Sequence, residues 1–76
     1  SDMAAYDEHY KGAVQPIELM RAQMSKEEFM GFLRGNIIKY ASRCGKKDGI
    51  IKETAKLLQY AVWLHQTAKN EKLKID

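Results

Sequence analysis

Polar and basic side chains recur every three or four residues in the middle of this chain, at Asn36, Lys39, Tyr40 and Arg43. On a helix this spacing places them on one side. A guanidinium can bind a phosphate with two parallel hydrogen bonds, and an ammonium group supplies a point charge. An amide can recognise a base or a sugar, and the phenol of Tyr40 can either stack on a base or fill the core. The set therefore predicts a site for a nucleotide or another phosphorylated molecule.

Two neighbouring segments can extend this site. Lys46 and Lys47 follow in the polar turn Gly45–Gly49, and His9 in an N-terminal arm can hydrogen-bond a ligand or act as an acid or base. Anions are disfavoured at the C-terminal end of the helix that carries Arg43, but the N-terminus of the next helix has the favourable polarity. The turn can thus present backbone N–H groups and lysines together.

The charge distribution agrees with a local anionic partner. Residues 31–52 carry six basic side chains against Asp48, a net charge of +5, whereas the whole chain has a net charge of +3. Such a patch suits a compact anionic ligand or nucleic acid. The alternative is an ordinary solvated helix face followed by a basic turn.

Several classes of protein are poorly supported. The sequence has no phosphate loop, no glycine-rich dinucleotide motif and no nucleophile elbow. We expect no cofactor and no metal site, because Cys44, His9 and His65 offer too few ligands at these spacings. The single cysteine fits a reducing cytoplasm, and we expect neither a signal peptide nor a membrane span. Paired catalytic carboxylates are also missing, which disfavours an enzyme without excluding one.

The local signals predict three helices. Pro16 suits a helix start and predicts a short helix over residues 16–23, and Ser25 with Glu28 forms a capping box before a longer helix that reaches about Cys44. Gly45 ends that helix, and Asp48 caps a third one from about Gly49 to Lys69. We expect residues 1–2 to be a tag remnant, residues 3–14 an irregular arm and residues 70–76 a frayed tail.

These elements predict a single all-α domain, residues 3–76, with a short helix and a long antiparallel αα-hairpin. Gly31 and Gly35 lie on one helix face, which indicates close approach of another backbone or a ligand. The third helix is apolar on two sides, with one stripe formed by Ile51, Ala55, Leu58, Val62 and His65. Because a small core is marginal, we expect a homo-oligomer to complete the fold, with His65 packed or interfacial.

The residues also resemble a known family. His9-Tyr10, Gln15-Pro16-Ile17-Glu18, the run from Gly35 to Arg43 with Gly45-Lys46-Lys47-Asp48, and Glu53 to Leu57 are similar to the SaV-like family of small bacteriophage proteins of unknown function. Members are often labelled phage nucleotide kinase. The resemblance implies a phage protein that acts in the host cytoplasm, forms an oligomer and interacts with nucleotides. Together with Lys47 of the turn, the residues that it carries over give the expected ligand-binding set: His9, Tyr10, Asn36, Lys39, Tyr40, Arg43, Lys46 and Lys47.

Three functional hypotheses follow. The first is a protein that binds a nucleotide in basic pockets of a symmetric oligomer, as a sponge that sequesters a nucleotide signal of host immunity. The second is the nucleoside monophosphate kinase that the family label implies, with His9 assisting transfer and Lys39 and Arg43 neutralising phosphates. The third is a module that binds DNA or a host protein, for which the basic residues are few.

Overall fold

The computed structural model describes residues 14–46 and 49–75. Within these residues it has three helices, α1 (Pro16–Gln23), α2 (Lys26–Ser42) and α3 (Ile50–Ala68). These residues form no strand. The end of α2 meets the start of α3, and the start of α2 meets the end of α3, so the two helices form an antiparallel hairpin. The predicted all-α fold and its central hairpin are confirmed. Of the predicted arm, only Val14 lies inside the described residues.

The starts of α1 and α2 follow the predicted local signals. Pro16 occupies the first turn of α1, where its missing N–H is not needed. The Ser25 hydroxyl accepts a hydrogen bond from the Glu28 N–H at 3.1 Å, and the Glu28 carboxylate accepts one from the Ser25 N–H at 2.8 Å. These bonds to the ionised form lower the pKa of Glu28 below its ordinary value. The predicted capping box is thus confirmed.

The turn between α2 and α3 differs slightly from the prediction. Helix α2 ends at Ser42, two residues before the expected Cys44, because Arg43 leaves the helical conformation with φ −104° and ψ 12°. Gly45 adopts φ +76°, a left-handed conformation that glycine tolerates at no steric cost. Helix α3 starts after Gly49, whose carbonyl accepts the Glu53 N–H at 3.1 Å. The predicted cap Asp48 lies outside the described residues.

The core lies where all three helices and the C-terminal segment meet. Phe29 and Leu33 of α2 are completely buried, and Leu73, beyond the end of α3, is 5% exposed. Partly buried apolar side chains from α1, α2, α3 and the tail surround them, namely Ile17, Met20, Met24, Phe32, Tyr60, Trp63, Leu64 and Ile75. The chain after α3 therefore contributes Leu73 and Ile75 to the core.

The prediction that residues 70–76 form a frayed tail is wrong for residues 70–75. Asn70 adopts φ +58°, which an asparagine tolerates better than most residues. The Glu71 N–H then donates to the Gln66 carbonyl at 2.8 Å and the Asn70 N–H to the Thr67 carbonyl at 3.1 Å. This pair of bonds is a Schellman motif, which ends the helix and reverses the chain. The reversal returns Leu73 to the core.

Cationic side chains of the first two helices hold this tail in place. Lys26 donates to the Asn70 side chain at 3.0 Å, and Arg21 donates to the Glu71 carbonyl at 2.6 Å. The Trp63 indole N–H donates to the Lys74 carbonyl at 3.0 Å. Sequence patterns missed these contacts because each joins polar groups that are distant along the chain or lie outside any helix.

The two faces of α3 have different environments. Its inner face carries the buried Glu53 and Thr67 together with Tyr60, which contacts the aromatic rings of α2. The predicted apolar stripe that includes Ile51 and Leu58 lies on the opposite face, where these two side chains are 83% and 64% exposed. His65 of the same stripe is exposed and does not pack within the described chain. Whether a second subunit covers this stripe stays a prediction.

The glycine pair of α2 lies on an open surface. A Cβ atom placed on Gly31 or Gly35 would meet no described atom within 4 Å, so no other backbone of the described chain packs there. The expected close approach is thus not made within the described part of the molecule. Each glycine still costs conformational entropy inside the helix.

We expect Leu73→Ala to lower the free energy of unfolding by about 2–3 kcal/mol, because it removes a buried side chain and leaves a cavity. Urea unfolding followed by the fluorescence of Trp63 measures this change. Lys72→Ala, one residue earlier and exposed, is the matched control and should change stability by less than about 0.5 kcal/mol. Equal effects of the two substitutions would show that the tail does not contribute to the core.

We expect Gly31→Ala and Gly35→Ala each to raise the free energy of unfolding by about 0.5–1 kcal/mol, because alanine is the better helix former and meets no neighbour. Urea unfolding also measures this effect. A loss of stability at either position would indicate that another molecule packs against this face of α2.

Candidate anion-binding site

Tyr40 lies at the centre of the predicted site and is itself part of the packed interior. Its side chain is only 8% exposed, and its ring stacks on Tyr60 of α3 with the centroids 5.7 Å apart and the planes 16° from parallel. Of the two roles left open for Tyr40, the structure supports packing in the core. A buried ring that stacks on Tyr60 is a poor surface for a base.

Three cationic side chains converge on the Tyr40 ring, and we call them the basic cluster. The Lys39 ammonium lies 5.0 Å from the ring centroid, the Arg43 guanidinium 4.8 Å and the Lys56 ammonium 5.5 Å. Cations at this distance are attracted by the electron-rich face of the ring, by about 0.5–1 kcal/mol at partly exposed sites. Because all three lie close to one point, no two can be more than roughly 10 Å apart. The basic cluster is therefore compact.

A buried carboxylate fixes the position of Arg43. One oxygen of Glu53, which is completely buried, accepts a hydrogen bond from Arg43 Nε at 3.1 Å. Its other oxygen accepts the backbone N–H of Gly45 at 2.9 Å. Glu53 thus joins the first turn of α3 to the end of α2 and to the turn between them.

The bond to Glu53 leaves much of the Arg43 guanidinium for other partners. A guanidinium carries five N–H donors, and this bond uses the one on Nε. The side chain of Arg43 is 29% exposed. The two terminal nitrogens are therefore the part that can bind a phosphate, and the ion pair holds them in one orientation.

The other predicted residues are distributed unevenly. Lys46 is exposed in the turn that follows Arg43. Asn36 donates its side-chain N–H to the Phe32 carbonyl at 3.0 Å, so its amide donor faces its own helix. His9, Tyr10 and Lys47 lie outside the described residues, and their predicted roles stay predictions.

Sequence reasoning missed two residues of this site, Glu53 and Lys56. Both lie on the same side of α3 as Tyr60. Glu53 precedes Lys56 by three residues, and Lys56 precedes Tyr60 by four. Their spacing from Tyr60 indicates that both side chains face α2, provided that Tyr60 is known to stack on Tyr40. That pairing is a tertiary contact that spacing along one helix does not reveal.

Tyr60, the ring that stacks on Tyr40, is a weaker acid than an exposed tyrosine. Burial raises the pKa of Tyr60 above its ordinary value, and the neighbouring Tyr40 adds to the rise by charge repulsion. Tyr60 therefore keeps its proton well beyond neutral pH.

Basic side chains also line a depression at the other end of the hairpin, where they have a different role. It has a volume of about 150 Å³ and is lined by Arg21, Lys26, Phe29, Thr67 and Asn70. Its two cations donate to oxygens of the tail, as described above. This depression therefore stabilises the fold, whereas in the basic cluster only Arg43 has an ion pair, the one with Glu53.

Two further findings apply to the described residues alone. They contain no group of three or more His, Cys, Asp or Glu side chains placed to hold a metal ion. They also contain no helix that is long and apolar enough to cross a membrane.

Comparison with known proteins identifies a family. The model of a family described as "protein of unknown function (DUF3310)" matches residues 5–62. The chain belongs to this family. The match includes the basic cluster together with His9 and Tyr10, and it ends within α3, before the tail. Neither a curated protein nor a solved structure matches the chain significantly.

We expect Glu53→Gln to lower the free energy of unfolding by about 1–2 kcal/mol at neutral pH. The amide keeps the shape but loses the charge-assisted bond to Arg43, and solvent partly compensates because Arg43 is partly exposed. Urea unfolding followed by circular dichroism measures the change.

The control for this substitution is Glu71→Gln. Glu71 pairs with Lys69 at 3.2 Å, but both side chains are about half exposed, so its loss should change stability by less than about 0.5 kcal/mol. If both substitutions had the same small effect, Glu53 would not be the structural link between α2 and α3.

Proposed function

We propose that this protein binds a compact phosphorylated molecule, of the nucleotide class, at the basic cluster. The observation that carries the proposal is the convergence of Lys39, Arg43 and Lys56 within 5.5 Å of one ring centroid. Like charges repel, so three cations this close are favoured when an anion lies among them. Phosphate oxygens suit both the arginine fork and the two ammonium groups.

The N-terminus of α3 lies beside the cluster and strengthens the case for an anion. Arg43 is bonded to Glu53 in the first turn of α3, so the cluster is close to the positive end of that helix dipole. Lys46 in the connecting turn is exposed and can reach the same region. The favourable dipole of α3 thus opposes the unfavourable one at the end of α2.

Binding without turnover is the form of this function that the local geometry favours. Both oxygens of Glu53 are occupied, one by Arg43 and one by Gly45, so this carboxylate is not free to act as a base. A protein that holds a nucleotide without altering it can act as a sponge. We accordingly propose sequestration of a nucleotide signal in an infected host cell, the anti-defence role suggested by the resemblance to phage proteins.

Isothermal titration calorimetry with inorganic pyrophosphate, nucleoside mono- and triphosphates and cyclic dinucleotides tests this proposal. At least one probe should bind, and Lys39→Gln or Lys56→Gln should weaken it about five- to tenfold, the cost of one charge-assisted contact at a partly exposed site. Binding should also weaken as salt is raised.

The matched control is Arg34→Gln, which removes the same charge from another, exposed face of α2 and should leave affinity within about twofold. Equal weakening by Lys39→Gln and Arg34→Gln, or no binding of any probe, would refute the proposal. Chromatography of the same mixtures with ATP present distinguishes sequestration from a kinase, because a kinase would produce a newly phosphorylated nucleotide.

A further inference from the structure

Glu53 is an acidic side chain within a site proposed for an anion. Its carboxylate is completely buried and lies 3.1 Å from Nε of Arg43, a member of the basic cluster. By charge alone Glu53 should weaken the binding of a phosphate, because it repels the ligand and offsets one of the three positive charges of the cluster. Its contacts with Arg43 and the turn indicate the opposite effect.

Glu53 determines which part of Arg43 is left for a ligand. Two contacts restrain the guanidinium, because Glu53 accepts a hydrogen bond from Nε and the Tyr40 ring centroid lies 4.8 Å from the guanidinium carbon. The donors on the two terminal nitrogens remain, and together they match two oxygens of one phosphate. Such a paired contact forms only when the plane and the edge of the guanidinium are correctly oriented.

This orientation matters more for Arg43 than for the two lysines of the cluster. An ammonium group is a compact point charge, whereas a guanidinium is a planar fork that must meet the phosphate along one edge. A flexible side chain that becomes ordered only on binding lowers the affinity through the conformational entropy that it loses. Glu53 orders Arg43 when the chain folds, so this loss does not accompany binding.

The second oxygen of Glu53 holds the turn that follows Arg43. It accepts the Gly45 N–H at 2.9 Å, and Gly45 has the left-handed φ of +76°. The Lys46 N–H donates to the Arg43 carbonyl at 3.0 Å within the same turn, where the Lys46 side chain is exposed. One buried carboxylate thus restrains both the guanidinium of Arg43 and the backbone that carries Lys46.

We propose that Glu53 is a positioning residue of the anion site, which strengthens phosphate binding by orienting Arg43 although its own charge opposes that binding. The proposal rests on the function proposed above, because it concerns the same site. The two effects of Glu53 have opposite signs. Removal of the carboxylate tightens binding if its charge dominates and weakens binding if the orientation of Arg43 dominates.

Calorimetry of Glu53→Gln with inorganic pyrophosphate separates these two effects. The amide has nearly the same shape but no charge, and its NH₂ group cannot accept a hydrogen bond from Arg43 or Gly45. We expect the affinity for pyrophosphate to fall about three- to tenfold, the effect of one side chain that is ordered only on binding. Glu71→Gln removes the same charge from an exposed pair with Lys69 and should leave the affinity within about twofold.

The outcomes distinguish the positioning role from the proposed function. If the wild-type chain binds pyrophosphate and Glu53→Gln binds it equally or more tightly, the positioning role is overturned and the proposed function stands. If the wild-type chain binds none of the phosphate probes, the proposed function fails and the positioning role fails with it.

The same substitution in an Arg43→Lys background tests whether Glu53 acts through Arg43. Lysine keeps the charge but lacks the planar fork, so Glu53→Gln should no longer weaken binding in this background. An equal loss of affinity in both backgrounds would show that Glu53 acts through folding alone and would overturn the proposal. Circular dichroism at the temperature of the calorimetry verifies that each variant is folded.

Nuclear magnetic resonance of the wild-type chain tests the proposal even if Glu53→Gln does not fold. The Nε–H of Arg43 should exchange with water more slowly than that of the exposed Arg34, both before and after pyrophosphate is added, because its bond to Glu53 persists. Pyrophosphate should shift the signals of the terminal N–H groups of Arg43. Exchange of the Arg43 Nε–H as fast as that of Arg34, in the free or the bound protein, would contradict the proposal.

Discussion

The hydrogen bonds of the Glu53 carboxylate are the interaction on which the arrangement of the hairpin depends. A buried carboxylate is costly unless its charge and its lone pairs are satisfied. Here Arg43 supplies the charge and the Gly45 N–H supplies the second bond, and both come from the end of the preceding helix and its turn. The pair therefore sets where α2 ends, how the turn closes and how α3 begins. Because Lys39 and Lys56 lie on different helices, they meet around Tyr40 only in this arrangement.

The basic residues of this chain have two separate roles at the two ends of the hairpin. At one end, Arg21 and Lys26 donate to oxygens of the C-terminal segment and hold Leu73 against Phe29 and Leu33. At the other end, the basic cluster rests on an aromatic pair and directs charge outward. The first set stabilises the fold, because both of its side chains bind the C-terminal segment. In the second set Arg43 also serves folding through its bond to Glu53, whereas Lys39 and Lys56 add repulsion that a bound anion would relieve.

The sequence predicted the local features of this fold better than its long-range ones. Pro16, the Ser25 capping box and Gly45 signal helix ends through groups a few residues apart, and the helices follow them closely. The buried tail depends on contacts across forty or more residues, so its polar composition was misleading. The residues of the candidate site show the same difference between local and long-range features. Spacing along α2 identified Lys39 and Arg43, whereas Glu53 and Lys56 became visible only once α3 was placed against Tyr40.

The central claim, that the basic cluster is an anion site, is tested most directly by nuclear magnetic resonance. Backbone amide spectra recorded during a titration with inorganic pyrophosphate should show saturable shifts at Lys39, Arg43 and Lys56 and in the turn at Lys46. Amides of the outer stripe of α3 should not move. Shifts spread without saturation over all lysines, including Lys72 and Lys74 of the tail, would contradict the claim and leave the cluster an ordinary charged surface.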